Sequence, residues 1–300
     1  TIDTWSAIAP SLYLSVRFSW DSRVDVGREM ERFYSGFYGA AADPMRRYWT
    51  RLDRTYAETH AHSGSSYGMH KIWTPAMLKA SRADLDEAAR LAADAREKDA
   101  VAMAEAGLRS AEIFMRIWNA IGRCDFADAV QAQTELATHC KQMSEHPDPH
   151  WAHLRYAYDQ YYRTFVGRVV DAGAKALSGG GRLAVQLPDV WKFSLDEKSV
   201  GAEQGWWKPD FNAAGWRDMA TFSTCWADEG LPWYQGEAWY RAAFTVPDEF
   251  KGKDLRLWFG GFDHNVDVYL NGQRLGEKTG FVKPQEFDDI ARHLRFDGPN

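Results

Sequence analysis

The hydrophobic repeat of this chain changes period once. Before Ser178-Gly179-Gly180-Gly181, apolar residues recur at helical spacing; after it, they alternate in short runs separated by Gly, Pro, Asn and Asp. A stripe with the helical period cannot keep one face as a strand, and an alternating run cannot keep one face as a helix. The two parts must therefore fold as different classes of structure, and 300 residues leave room for both.

The first part reads as helices. Val26, Met30, Phe33 and Phe37 share one face, and Gly39 ends the run. Asp43-Pro44 and Thr74-Pro75 each offer a capping side chain followed by a proline at the first helical position. Met45, Tyr48, Trp49, Leu52 and Tyr56 keep the period between them. From Leu78 to about Arg123, the stripes Leu85, Ala88, Ala92, Ala95 and Ile113, Ile117, Ile121 fit one long helix, or two with a turn near Arg96–Asp99. Phe126, Ala129, Gln133, Leu136, Cys140 and Met143 make a further helix, ended by Pro147 and Pro149. Trp151, Leu154, Tyr158, Tyr161, Phe165 and Val169 begin the last. The expected arrangement is an all-α antiparallel helical bundle.

The second part reads as strands carrying Val185, Leu187, Phe193, Phe244, Val246, Leu255, Leu257, Phe259, Val266, Val268 and Leu270. Asn271-Gly272 predicts a tight hairpin, because a type I′ turn needs positive φ at both central residues. The expected fold is a β-sandwich of jelly-roll type.

Composition removes several function classes. No apolar run approaches the 18 residues of a membrane span. The net charge of −6 disfavours a nucleic-acid surface. Three scattered cysteines make neither a disulfide framework nor a zinc site. His146, His150 and His153 surround Asp148 without a zinc spacing, and His60 and His62 lie in a polar loop. Phosphate loops, nucleophile elbows and His-Glu-x-x-His motifs are absent from the sequence. No cofactor, no metal and no catalytic residue is expected, since no carboxylate pair stands out among the 42 acids.

The aromatics say more. Eight of the 14 tryptophans lie after residue 180. On a strand, Trp206 and Trp207 would point to opposite faces. Trp191, Trp216, Trp239 and Trp258 are expected in the core. Trp226, Trp233 and Tyr234 fall in Ser223–Glu237, where Gly230, Pro232 and Gly236 mark a loop. An indole in water offers a stacking face for the C–H side of a sugar ring, whose hydroxyls want polar groups at the rim. Asp263-His264-Asn265, in another expected turn, could supply them. These six residues are the candidate sugar-binding set; the alternative is that the rings cover the end of the sandwich and the turn caps its own backbone.

The second part resembles the sugar-binding jelly-roll domain of glycoside hydrolase family 2. The likeness runs through Trp191-Lys192-Phe193, Asp196 and Gly201, then Trp216 and Trp226. It continues through Gly236, Trp239-Tyr240-Arg241, Phe244 and Val246-Pro247, then Leu257-Trp258-Phe259-Gly260-Gly261-Phe262-Asp263 and Val268-Tyr269-Leu270-Asn271-Gly272. It closes with Leu275-Gly276, Phe287-Asp288, Ile290 and Leu294. The resemblance implies that the loop Ser223–Gly236 can reach the active site of a barrel domain, and that the last strands of the domain lie beyond Asn300. In the first part, Tyr13-Leu14, Arg17, Trp20-Asp21, Phe33-Tyr34 and Phe37-Tyr38-Gly39 are similar to the exit from an α-glucuronidase-like barrel. They are also similar to a bacterial domain-of-unknown-function family in which a helical domain follows that barrel.

These resemblances imply a C-terminal piece of a bacterial glycoside hydrolase-like protein. Residues 1–24 would be the tail of an upstream catalytic barrel, 25–177 a helical bundle, 178–182 a linker, and 183–300 an incomplete galactose-binding-like jelly roll. The opening Thr1-Ile2-Asp3-Thr4-Trp5 and the closing Asp297-Gly298-Pro299-Asn300 fit that expectation. The implied function is a non-catalytic buttress with an accessory sugar-binding module for a secreted or periplasmic enzyme. Its partners would be an oligo- or polysaccharide and the barrel of the same polypeptide. A free-standing carbohydrate-binding module and a structural spacer are the alternatives.

Overall fold

A computed structural model describes residues 5–59, 68–147 and 157–300. The chain divides into two compact units. One holds residues 1–119 and 128–164, the other residues 120–127 and 165–300.

The first unit is helical. Its elements are α1 (Trp5–Trp20), α2 (Val26–Tyr38), α3 (Ala42–Glu58), the short α4 (Met69–Ile72) and α5 (Pro75–Leu91), with most of α6 (Ala95–Gly122) and α7 (Phe126–Ser144). The middle of the apolar stripe expected on α2 and α3 is in the core, while Val26 and Tyr56 at its ends are exposed. Phe33, Tyr38, Met45, Tyr48 and Trp49 are buried, and the Trp49 indole donates to the Tyr38 hydroxyl at 2.9 Å. Burial pushes the Tyr38 phenol far above its ordinary range.

Helix ends follow their capping chemistry. α2 stops at Gly39, whose φ is 51°. α5 starts as the sequence predicts, with the Thr74 hydroxyl accepting from the Met77 amide and Pro75 in the first turn. Asp43 does not cap α3: the helix begins at Ala42, and Asp43 instead pairs with Arg46 inside the first turn. α5 and α6 are two helices, but the break falls at residues 92–94, ahead of the expected turn. There Asp94 Oδ1 accepts from the Glu97 amide, and Glu97 Oε2 accepts from the Ala93 amide, each at 2.8 Å. This is close to a capping box, and it leaves Ala95 exposed rather than on the buried stripe.

Tyr13 and Arg17, which carried part of the first-part resemblance, tie α1 to α2. Both donate to Glu29 Oε2 at 2.9 Å, and Arg32 donates to the other oxygen at 3.0 Å. The Arg17 bond, then the Tyr13 bond, hold this carboxyl below its usual range. His60, His62, Asp148, His150, His153, Pro149, Trp151 and Leu154 lie outside the described residues. Residues 157–167 form a π-helix that runs into α8 (Arg168–Ala176).

The second unit is built of antiparallel sheets. β1 (Val190–Asp196), β2 (Arg217–Ala220) and β3 (Glu237–Arg241) form a sheet in the order β2-β1-β3. β4 (Leu257–Phe259) pairs with β7 (Gln285–Phe287), and β5 (Asp263–Leu270) pairs with β6 (Gln273–Phe281). Leu270, Phe287 and Ile290 form the buried centre of a cluster with Phe244, Leu255, Leu257, Phe259, Val268 and Leu294 around it. The Asn271-Gly272 hairpin is as expected: φ is 48° and 83°, with Leu270 opposite Gln273. The Asn271 side chain donates to the His293 carbonyl at 2.7 Å and to Asn300 Oδ1 at 2.8 Å.

Some expected strand residues are not in strands. Val185 and Leu187 precede β1 in irregular chain, and Phe244 and Val246 follow β3. α8 groups with the strands and not with the helices before the glycine run. The physical reason is apolar: Phe126 lies against Gly173 and makes a T-shaped contact with Trp258 at 5.3 Å, while Val169 meets Gly260.

Candidate functional site

In the order β2-β1-β3, the two outer strands both flank β1, so the connection between β2 and β3 must cross the sheet. Residues 221–236 do so over Phe193. On that face Phe193 pairs with Tyr240, and Trp191 with Met219. Phe193 and Met219 are each 1% exposed. Trp226 closes over them: its ring is 6.1 Å from Phe193, and its indole donates to the Tyr240 hydroxyl at 2.6 Å. Burial pushes the Tyr240 phenol up, and that hydrogen bond opposes the shift. Arg217 sets its guanidinium 5.0 Å from the Phe193 ring centroid and donates to the Glu229 carbonyl at 3.1 Å.

The rest of the crossing segment is held by short-range contacts. The Leu231 amide donates to the Trp226 carbonyl at 2.8 Å. Tyr234 packs 5.5 Å from Trp226 and donates its hydroxyl to the Glu237 carbonyl at 2.6 Å. Between these two fixed rings stands Trp233, 91% exposed. A large indole left in water on a loop tethered on both sides is an unspent stacking surface.

The opposite face of the same sheet carries a second aromatic group. Trp206 contacts Trp216, Trp239 and Phe211, and Trp207 stacks on Tyr269 at 5.7 Å. Trp206 and Trp207 thus lie in a turn, not on a strand, and neither is placed by strand alternation. Arg241 donates to the Trp206 carbonyl at 2.6 Å, and burial lowers its guanidinium.

Asp196, 2% exposed, locks this face. Its carboxylate accepts from the Val200 amide at 2.8 Å, the Gly201 amide at 2.7 Å and the Trp239 indole at 3.0 Å. Burial alone would raise its pKa, but the three donors win and the net direction is down. Gly201 has to be glycine: a Cβ there would stand 2.7 Å from Asp196 Oδ2 and from the Trp206 ring, and closer still to the Trp239 indole nitrogen.

The six candidate residues form two groups with separate contacts. Trp226, Trp233 and Tyr234 share the crossing loop, with Trp226 and Tyr234 half-buried as its props and Trp233 free in solvent. Asp263, His264 and Asn265 open strand β5 and are not in a turn; they face Phe281, Gly280 and Thr279 of β6. All three are exposed, His264 has φ 70°, and its Nδ1 lies 2.7 Å from Asp263 Oδ1. Trp191, Trp216, Trp239 and Trp258 are half-buried, less enclosed than core residues.

The buried carboxylates are engaged in structure. Glu29 accepts from Tyr13, Arg17 and Arg32, Asp84 from Arg47 and Arg51, Glu97 from the Ala93 amide, and Asp196 from the donors above. The downward shifts at Glu29 and Asp196 are opposite to what a general acid needs. Among the described residues no His, Cys, Asp and Glu side chains are grouped to hold a metal ion. No helix among them is long and apolar enough to cross a membrane.

Residues 185–298 match the family described as "Glycosyl hydrolases family 2, sugar binding domain". Two curated relatives illustrate the likeness. A β-glucuronidase of Paenibacillus borealis is 28% identical over 103 residues, which is 34% of this chain and 17% of that protein. A β-galactosidase of Thermoanaerobacter pseudethanolicus is 36% identical over 63 residues, which is 21% of this chain and 8% of that protein. The chain therefore spans less than a fifth of the length of these relatives. A solved β-glucuronidase of Ruminococcus gnavus aligns at 25% identity over 38% of this chain and 20% of that one, with a TM-score of 0.32.

Proposed function

We propose that the strand unit is a jelly-roll accessory module of a glycoside hydrolase, contacting carbohydrate through Trp233. In this reading the helical unit buttresses a catalytic barrel elsewhere in a longer, exported polypeptide, and this chain carries no catalytic residues. The observation that carries the reading is the exposed Trp233 indole, on the loop whose Trp226 and Tyr234 rings pack on each other, within the family-matched region. Asp263, His264 and Asn265 serve as a second polar patch for sugar hydroxyls.

The test is isothermal titration of the 300-residue chain with neutral oligosaccharides. Measurable binding is expected, reduced about tenfold or more by Trp233→Ala, a loss of about 1.4 kcal/mol or more. The variant's melting temperature should not change, because the ring packs on nothing that a truncation would expose. Aryl glycosides incubated with the same chain should show no turnover. Turnover abolished by one carboxylate substitution would overturn the non-catalytic assignment, and absence of binding would leave the module as a spacer.

A further inference from the structure

We infer that Asn271 is a latent self-modification site. The fold protects its side-chain amide, and opening of the β5–β6 turn exposes it to a deamidation that deletes the pin needed for reclosure.

The reactive pair is adjacent in sequence. Asn271 precedes Gly272, whose backbone nitrogen has no side chain to shield it. In an unconstrained chain that nitrogen attacks Cγ of the asparagine. A C–N bond forms, and Nδ2 leaves as ammonia, carrying away the proton lost from the glycine nitrogen. Water then opens the five-membered imide at either carbonyl, giving aspartate or its β-linked isomer. One water is consumed and one ammonia released, with no oxidant or reductant. Asn265 precedes the β-branched Val266, which crowds the attacking nitrogen, so it serves as an internal comparison.

The folded turn opposes each part of this step. Asn271 and Gly272 hold φ of 48° and 83°, and Leu270 pairs with Gln273 across a two-residue hairpin. The nitrogen that must leave donates to the His293 carbonyl at 2.7 Å and to Asn300 Oδ1 at 2.8 Å. The residue that must attack is backed by Pro209: a Cβ on Gly272 would stand 3.0 Å from the proline ring. Next to the turn, Leu270 is buried and Tyr269 stacks on Trp207 at 5.7 Å. Bringing the Gly272 nitrogen onto Cγ therefore requires the side chain to leave both acceptors and the turn to leave its conformation.

The product does not fit where the amide sat. A carboxylate oxygen in place of Nδ2 would face two acceptors where the amide had two partners. Asn300 Oδ1 also accepts from the Arg295 amide at 2.7 Å, and the Asn300 backbone exchanges hydrogen bonds of 2.8 and 3.1 Å with Phe244. Loss of the Asn271 bonds thus loosens the junction of the hairpin with residues 244 and 293–300. The β-linked isomer further adds a backbone atom to a two-residue turn.

The test incubates the 300-residue chain at mildly alkaline pH with and without denaturing urea. Trypsin then releases residues 257–274 as one peptide, and fragmentation assigns the mass gain to Asn271 or to Asn265. Conversion at Asn271 is expected to be at least about tenfold faster in urea, because only the opened fraction reacts. Asn265 should keep its amide over the same interval. Asn271→Asp should melt about 5 °C below the wild type or fail to fold. The conversion ratio is read on the wild-type chain and needs no folded variant. Equal conversion with and without urea overturns the protection. An Asn271→Asp variant that melts with the wild type overturns the loss of the pin.

Discussion

Alanine at position 201 is expected to destabilise the strand unit by about 3 kcal/mol. The added methyl has no room against Trp239, Trp206 and Asp196, so something must move. Any movement breaks the Asp196 hydrogen bonds to the Gly201 amide and the Trp239 indole. Urea denaturation followed by tryptophan fluorescence checks this, and wild-type stability would show that the aromatic group yields freely. The same carboxylate makes a pH prediction. Its folded pKa lies below the 3.8 of an ordinary Asp, so its stabilisation is complete above about pH 4 and is lost as pH falls through the folded value. Asp196→Asn should therefore flatten the acid side of the stability curve while lowering the plateau at neutral pH.

Phe193→Ala is expected to cost about 3–5 kcal/mol, the range for a fully buried phenylalanine. The ring is 1% exposed and sits under Trp226, beside Tyr240 and beneath Arg217. Its loss removes the floor on which the crossing loop rests. Sugar affinity should fall along with stability, in contrast to Trp233→Ala. A variant that melts lower but binds sugar as wild type would show that the loop stands without the sheet beneath it.

Features set by local backbone chemistry were legible in the sequence. Gly39 ends α2, Thr74-Pro75 opens α5, and Asn271-Gly272 turns the hairpin, because each depends on a few adjacent residues and one φ/ψ preference. Features that depend on distant partners were not. Asp43-Pro44 has the letters of a cap, but the preceding turn already delivers the chain in helical conformation at Ala42. Asp94-Ala95-Arg96-Glu97 was a readable capping signal, yet the alanine stripe on both sides hid it. Trp206 and Trp207 defeat the alternation rule because they belong to a turn folded back on the sheet.

The candidate site divides the same way. Gly230, Pro232 and Gly236 marked the loop that carries its three rings. Which rings prop it and which one stands free depends on Phe193 and Tyr240, residues that no local pattern connects to it. Asp263-His264-Asn265 has turn composition but is recruited into a ladder by the β6 partner strand.

The crossing of β1 by the β2–β3 connection has a consequence for engineering. Between the hydrogen bond that fixes Trp226 and the one that fixes Tyr234, residues 230–233 lie outside the ladders of β1, β2 and β3, with the preceding Glu229 carbonyl anchored by Arg217. Foreign peptides spliced there would be displayed from a clamp closed at both ends, so the segment is a natural insertion point for new recognition sequences.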